Sequence, residues 1–108
     1  MDDKNYKNKR RKEMNKKKEI KREKVYQYKS LYVPKGSIRP QFIINAFKYK
    51  ILYFNGEVLM FRNHWKYQKN FLTKELIVQT DDYFIEDEEG IIFKVSSKEF
   101  EDNYIIVD

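Results

Sequence analysis

Residues 51–61 read Ile-Leu-Tyr-Phe-Asn-Gly-Glu-Val-Leu-Met-Phe, two apolar runs on either side of Asn55-Gly56. Asn-Gly in such a setting is the strongest short-range signal for a β-hairpin, because a type I′ turn needs positive φ at both central residues. The stretch predicts Ile51–Phe54 paired with Glu57–Phe61. Upstream, Gln41–Phe47 is rich in β-branched and aromatic residues and predicts a strand. Ser30–Pro40 reads as a loop broken by Pro34, Gly36 and Pro40. Downstream, Glu75–Gln79, Tyr83–Ile85 and Ile91–Val95 predict three short strands, with Glu88-Glu89-Gly90 turning between the last two. Asn63–Leu72 reads as an irregular crossing or a helical turn anchored by Trp65. Ser97 predicts a helix N-cap with acids in the first turn. That short helix places Phe100 and Tyr104 on one side, and Tyr104–Val107 follows as a final strand. The pattern is that of a mainly β, α+β fold: a small antiparallel sheet or partly open barrel with one short C-terminal helix.

The chain has 108 residues, room for one small domain. Its net charge of +6 is unevenly spread. Residues 1–29 hold 13 Lys/Arg against 5 Asp/Glu, whereas residues 81–108 hold 2 against 10. The reading divides the chain into a basic N-terminal arm, residues 1–29, and a single β-rich domain, residues 30–108. Met14, Ile20 and Val25 lie six and five apart, which makes no helical stripe. The arm is therefore expected as a fraying helix or a disordered tail, unable to bury enough apolar area to order itself. There is no cysteine, so disulfides and thiolate chemistry are excluded. No apolar run approaches the roughly 18 residues of a membrane span, and the N-terminus has no apolar signal region. The expected location is the cytoplasm, with no membrane partner.

Arg39-Pro40-Gln41-Phe42-Ile43-Ile44-Asn45-Ala46-Phe47-Lys48-Tyr49 resembles the opening strand of the PGDYG domain family of small phage-encoded proteins. Thr80-Asp81-Asp82-Tyr83 is similar to its Pro-Gly-Asp-Tyr block. Glu89-Gly90 matches its turn, and Phe100-Glu101 with Tyr104 matches its Phe-Glu…Tyr close. Thr80 and Asp81 stand where the family has Pro-Gly, and Lys94 where it often has proline. The resemblance covers residues 39–49 and 75–108 and leaves the basic arm unmatched. It implies a phage or prophage origin, host cytoplasm and a small β-rich fold, and it supplies no catalytic role.

The chemistry-bearing residues point to binding rather than catalysis. Lys9, Arg10, Arg11, Lys12, Lys16, Lys17, Lys18, Lys21, Arg22 and Lys24 form the expected nucleic-acid contact, since Lys and Arg neutralise phosphates and release counterions. The competing reading lays this arm against the chain's own acidic end, or leaves it as a solvated tail. Arg39, Tyr49, Tyr53, Arg62, Trp65, Lys66 and Tyr67 interleave rings with cations and form the expected ligand or partner face. His64 is the only histidine, and Ser96 and Ser97 have no adjacent base, so no catalytic residue, metal ligand or cofactor is assigned. Asp82 is expected to cap a turn. The function expected is that of a phage or mobile-element accessory protein, not an enzyme. It would engage nucleic acid or an anionic, nucleic-acid-handling host complex, inhibiting a host defence system, and pair into a homodimer. The alternative is a small-ligand module that captures a nucleotide or nucleotide-derived signal.

Overall fold

A computed structural model describes residues 17–29 and 39–108. Eight strands and two α-helices follow in the order β1 (Lys18–Lys21), β2 (Val25–Gln27), α1 (Gln41–Lys48), β3 (Leu52–Asn55), β4 (Val58–Arg62), β5 (Glu75–Ile77), β6 (Tyr83–Glu86), β7 (Ile92–Val95), α2 (Ser97–Asn103) and β8 (Tyr104–Val107). Short 3₁₀ turns occupy Arg22–Lys24, Trp65–Tyr67 and Phe71–Thr73. Two antiparallel three-stranded sheets, β2-β6-β7 and β3-β4-β5, stand beside a separate parallel pair, β1-β8. The fold is mainly β, α+β, with open sheets, as the strand pattern predicts.

The sheet β2-β6-β7 is covered on both faces. Phe84 of β6 and Ile92 of β7 join Phe42, Ile43, Ala46, Leu52, Leu59 and Phe61 in a core under α1 and β3–β4. Ile85 of β6 and Val95 of β7 point the other way, into a second core with Ile20, Val25 and Phe100. Period-two alternation places neighbours on opposite faces, so two adjacent residues of β6, Phe84 and Ile85, are both buried. Burying each such side chain is worth about 1.5–3 kcal/mol relative to leaving it exposed.

Three expectations are corrected. Gln41–Lys48 is a helix, not a strand. Phe42, Ile43 and Ala46 recur at helical spacing and bury one face, and that burial outweighs the β propensity of Phe and Ile. The hairpin turn is Gly56-Glu57, closed by Asn55 opposite Val58, one residue later than Asn55-Gly56. Gly56 alone takes positive φ, +63°. The register is thereby set with Leu52 opposite Phe61 and Phe54 opposite Leu59, which puts Leu52, Leu59 and Phe61 into the core. The helix α2 is capped by Ser96, whose Oγ accepts the Glu99 N–H at 3.1 Å, not by Ser97.

The basic N-terminal stretch enters the fold. Residues 18–21 and 25–27 are strands, not a helix or a tail, and Ile20, Val25 and Tyr28 are buried. The reason lies in partners supplied by the chain's far end. Lys18–Lys21 pairs in parallel with Tyr104–Val107, and Val25–Gln27 pairs with Tyr83–Ile85. A segment too polar to form a core alone contributes its few apolar residues to one built elsewhere.

The C-terminus of α1 carries a strained position. The Ile51 N–H donates to the Ala46 carbonyl at 2.8 Å and the Lys50 N–H to the Phe47 carbonyl at 3.2 Å. This is the Schellman arrangement, which puts its C′ residue in the left-handed region and favours glycine there. Lys50 occupies it at φ +59°. Lys50→Gly is therefore expected to stabilise the domain by about 1 kcal/mol, since a side chain in this region costs roughly 1–2 kcal/mol. Chemical denaturation checks this, with Lys50→Val, β-branched, expected to destabilise.

Candidate functional site

The basic stretch divides into paired and unpaired cations. Lys9, Arg10, Arg11, Lys12 and Lys16 lie outside the described residues. Arg22 Nε donates to Asp108 Oδ1 at 2.8 Å, and Lys24 Nζ to Glu86 Oε1 at 2.6 Å. Lys29 Nζ reaches Asp81 Oδ1 at 3.1 Å. The Glu86 hydrogen bond and charge hold the Lys24 ammonium above its ordinary range against a smaller opposing effect of desolvation. Lys17, Lys18 and Lys21 are exposed, and among the described residues no carboxylate lies within ion-pair distance of them.

The expected ligand or partner face is split into separate groups. Arg39 sets its guanidinium 5.0 Å from the Phe47 ring, and Tyr49 at the end of α1 is exposed beside the Lys48 ammonium. Tyr53 and Arg62 lie side by side on the outer face of β3-β4-β5, 5.3 Å apart. Glu75 takes the Tyr53 hydroxyl at 2.6 Å and lies 3.8 Å from Arg62 Nε. Trp65 is 75% exposed, with the His64 ring 5.2 Å from its own. It does not anchor its segment. That role falls to Asn63, whose amide donates to the Tyr67 carbonyl at 3.3 Å and the Thr73 carbonyl at 3.0 Å. Asn70 and Thr73 form a capping box that fixes the following turn. The Asn-x-x-Thr spacing is visible in the sequence and is the signal that Trp65's bulk obscured.

Lys66 and Tyr67 converge on one carboxylate. Asp87 Oδ2 accepts the Tyr67 hydroxyl at 2.6 Å and Lys66 Nζ at 3.2 Å. Asp87 Oδ1 accepts the Glu89 and Ile91 backbone N–H groups, each at 2.9 Å. The same lysine reaches Glu89 at 3.0 Å, and the Tyr67 ring stacks on Phe93 at 4.5 Å. Asp87 is one of the ten acids of residues 81–108. Its position three before Gly90, in Asp-x-x-Gly, is the signal of a side chain that closes its own turn. Burial by itself pushes the Asp87 carboxyl up, but the Tyr67, Ile91, Lys66 and Glu89 hydrogen bonds outweigh it and hold the group at about 2. Burial, with the Asp87 hydrogen bond and charge, pushes the Tyr67 phenol up to about 12.

Asp82 and Lys94 form a second tie, at 2.9 Å and nearly out of solvent. Asp82 Oδ2 also accepts the Gln79 N–H at 2.7 Å, capping the turn over residues 79–82 as expected. The Asp82 N–H returns to the Gln79 carbonyl at 3.1 Å, with Asp81 at φ +76°. A 79→82 hydrogen bond with positive φ at the third residue is a type II turn, the conformation that Pro-Gly adopts most readily.

Among the described residues no group of three or more His, Cys, Asp or Glu could hold a metal ion. No described helix is long and apolar enough to cross a membrane. Comparison with family models, curated proteins and solved structures gave no match.

The Asp87 cluster generates a pH prediction. A carboxyl held near 2 from an ordinary 3.8 adds stability that is complete above about pH 4 and lost as pH falls toward 2. A phenol raised from 10 to about 12 adds stability that is complete below pH 10 and lost as pH rises toward 12. Tyr67→Phe should abolish that alkaline contribution and raise the Asp87 carboxyl, so that acid unfolding begins at higher pH. Carboxyl ¹³C titration of both proteins checks this; an Asp87 midpoint unchanged by the substitution would contradict it.

Proposed function

We propose that this chain is a binding protein, not an enzyme, that engages nucleic acid through its basic N-terminal stretch. The observation that carries this reading is that Lys17, Lys18 and Lys21 are exposed and, among the described residues, have no carboxylate within ion-pair distance. It leads directly into residues 1–16, which carry 7 Lys/Arg against 3 Asp/Glu. Arg22 and Lys24 play a different part: they secure the strand pair from which these lysines project. The cations a nucleotide module would use for phosphate support this choice over the small-ligand alternative. Arg62 and Lys66 are already within ion-pair distance of Glu75, Asp87 and Glu89, and Arg39 is stacked over Phe47.

The biological setting in this reading is a phage or mobile-element accessory protein in the host cytoplasm. It acts on nucleic acid or on a nucleic-acid-handling complex of the host, and blocking host defence is a role suited to it. The PGDYG resemblance supports the setting, and the left-handed backbone at Asp81, where that motif has glycine, is consistent with the alignment.

The test is binding as a function of salt. About six phosphate contacts give a log–log slope near −5 on duplex and near −4 on single strands. Replacing Lys17, Lys18 and Lys21 by Gln should reduce the duplex slope by about three. Arg22→Gln and Lys24→Gln should change it by less than about one, because those cations face carboxylates. Fluorescence anisotropy with labelled duplex and single strand reads all four. Salt-independent binding, or none at low salt, would remove nucleic acid from the reading.

A further inference from the structure

The sheet β2-β6-β7 has an open edge, and a cleft runs along it. Two hydrogen bonds fix the phase of the ladder. The Tyr28 N–H donates to the Asp82 carbonyl at 2.9 Å, and the Asp87 N–H to the Ile91 carbonyl at 2.9 Å. Residues of an antiparallel strand alternate in the side to which their backbone bonds. Even-numbered residues of β6 therefore bond toward β2 and odd-numbered ones toward β7. In the register Tyr83–Val95 and Ile85–Phe93, Phe93 and Val95 are spent on β6. The N–H and C=O groups of Ile92 and Lys94 point away from the sheet, and among the described residues nothing bonds to them.

A cleft of about 440 Å³ lies at this edge. Phe93, Lys94 and Val95 all line it, although consecutive side chains of a strand point to opposite faces. A cavity touching all three runs along the strand's edge rather than over one face. Leu76 of β5, Tyr67, Lys69, Glu99 and Tyr104 also line it. β5 is itself the last strand of its sheet, so the cleft is a seam touching the terminal strand of each sheet.

We propose that this seam takes an extended polypeptide segment of a partner protein, which adds as a strand to β7. The occupant is specified by what the edge offers. Alternating free N–H and C=O groups at strand spacing match a peptide backbone. The apolar lining of Phe93, Val95, Leu76 and Tyr104 takes alternate apolar side chains, and Lys69 and Glu99, of opposite charge in the same lining, suit polar residues at the positions between. The basic N-terminal stretch takes no part in this edge, so nucleic-acid binding and strand addition can each fail without the other.

The test selects peptides from a displayed library of random sequences with the full chain as bait, then measures binding of the selected synthetic peptide. Lys94→Pro removes the outward N–H, which takes no part in the β6 ladder, and should abolish binding. Lys94→Met loses the same ammonium but keeps the N–H, and should retain binding within about threefold. In the unmodified protein, saturation with the peptide should slow exchange of the Ile92 and Lys94 amides at least tenfold, a readout that stands even if both variants fold poorly. Failure to enrich any peptide over an unrelated bait, equal binding by both variants, or unchanged exchange at Ile92 and Lys94 would overturn the proposal. So would a concentration-dependent dimer of the chain alone that Lys94→Pro dissociates, which would assign the edge to a second copy.

Discussion

One sheet must be covered on both faces, and most of this structure follows from that requirement. Phe84 and Ile85, adjacent on β6, are buried in different cores. The first core is closed by α1 and the β3–β4 hairpin. The second is closed by α2, β8 and β1, the first strand of the basic N-terminal stretch. Neither cover is optional, because a small domain has little stability to spare and an uncovered face would leave Phe84 or Ile85 in water.

This requirement gives the charge asymmetry of the sequence a structural meaning. The acidic end and the basic beginning meet in the fold: Arg22 with Asp108, Lys24 with Glu86, Lys29 with Asp81. Exposed pairs of this kind are worth about 0–1 kcal/mol each, so they set the choice of partner more than they supply stability. The stability comes from Ile20, Val25 and Tyr28, which the pairs help to bring into place. Part of the basic charge is thus consumed in folding, and Lys17, Lys18 and Lys21 remain for a partner.

Much of the fold is legible in the sequence where local signals and burial agree. The strands at 83–86 and 92–95, the short helix after Ser96 and the terminal strand all follow from alternation and capping. Where helix and strand were misread, tertiary burial decides what a local rule leaves open. Gln41–Lys48 has strand-like composition but helix-like spacing at 42, 43 and 46, and spacing prevails because the first core needs one buried face there. Asn55-Gly56 offers two turn frames one residue apart; both leave Leu52, Leu59 and Phe61 on one face, and the frame taken puts Gly56, at positive φ, first in the loop. The strands at 18–21 and 25–27 are invisible locally, since their partners lie 86 and about sixty residues downstream. For the candidate site, the residue types were legible and their grouping was not. Lys66 and Tyr67 are drawn together by Asp87, a long-range partner that no spacing rule identifies.

The central claim is that the segment around β2 is an integral strand of the domain and not an appendage. Native-state hydrogen exchange of the full chain tests it directly. The Tyr28 amide, bonded to the Asp82 carbonyl, and the Tyr26 amide, opposite Phe84, should be protected to the same degree as those of Ile85, Phe93 and Val95, opening together with the whole domain. Exchange of Tyr26 and Tyr28 at free-peptide rates, with β6 and β7 still protected, would contradict the account.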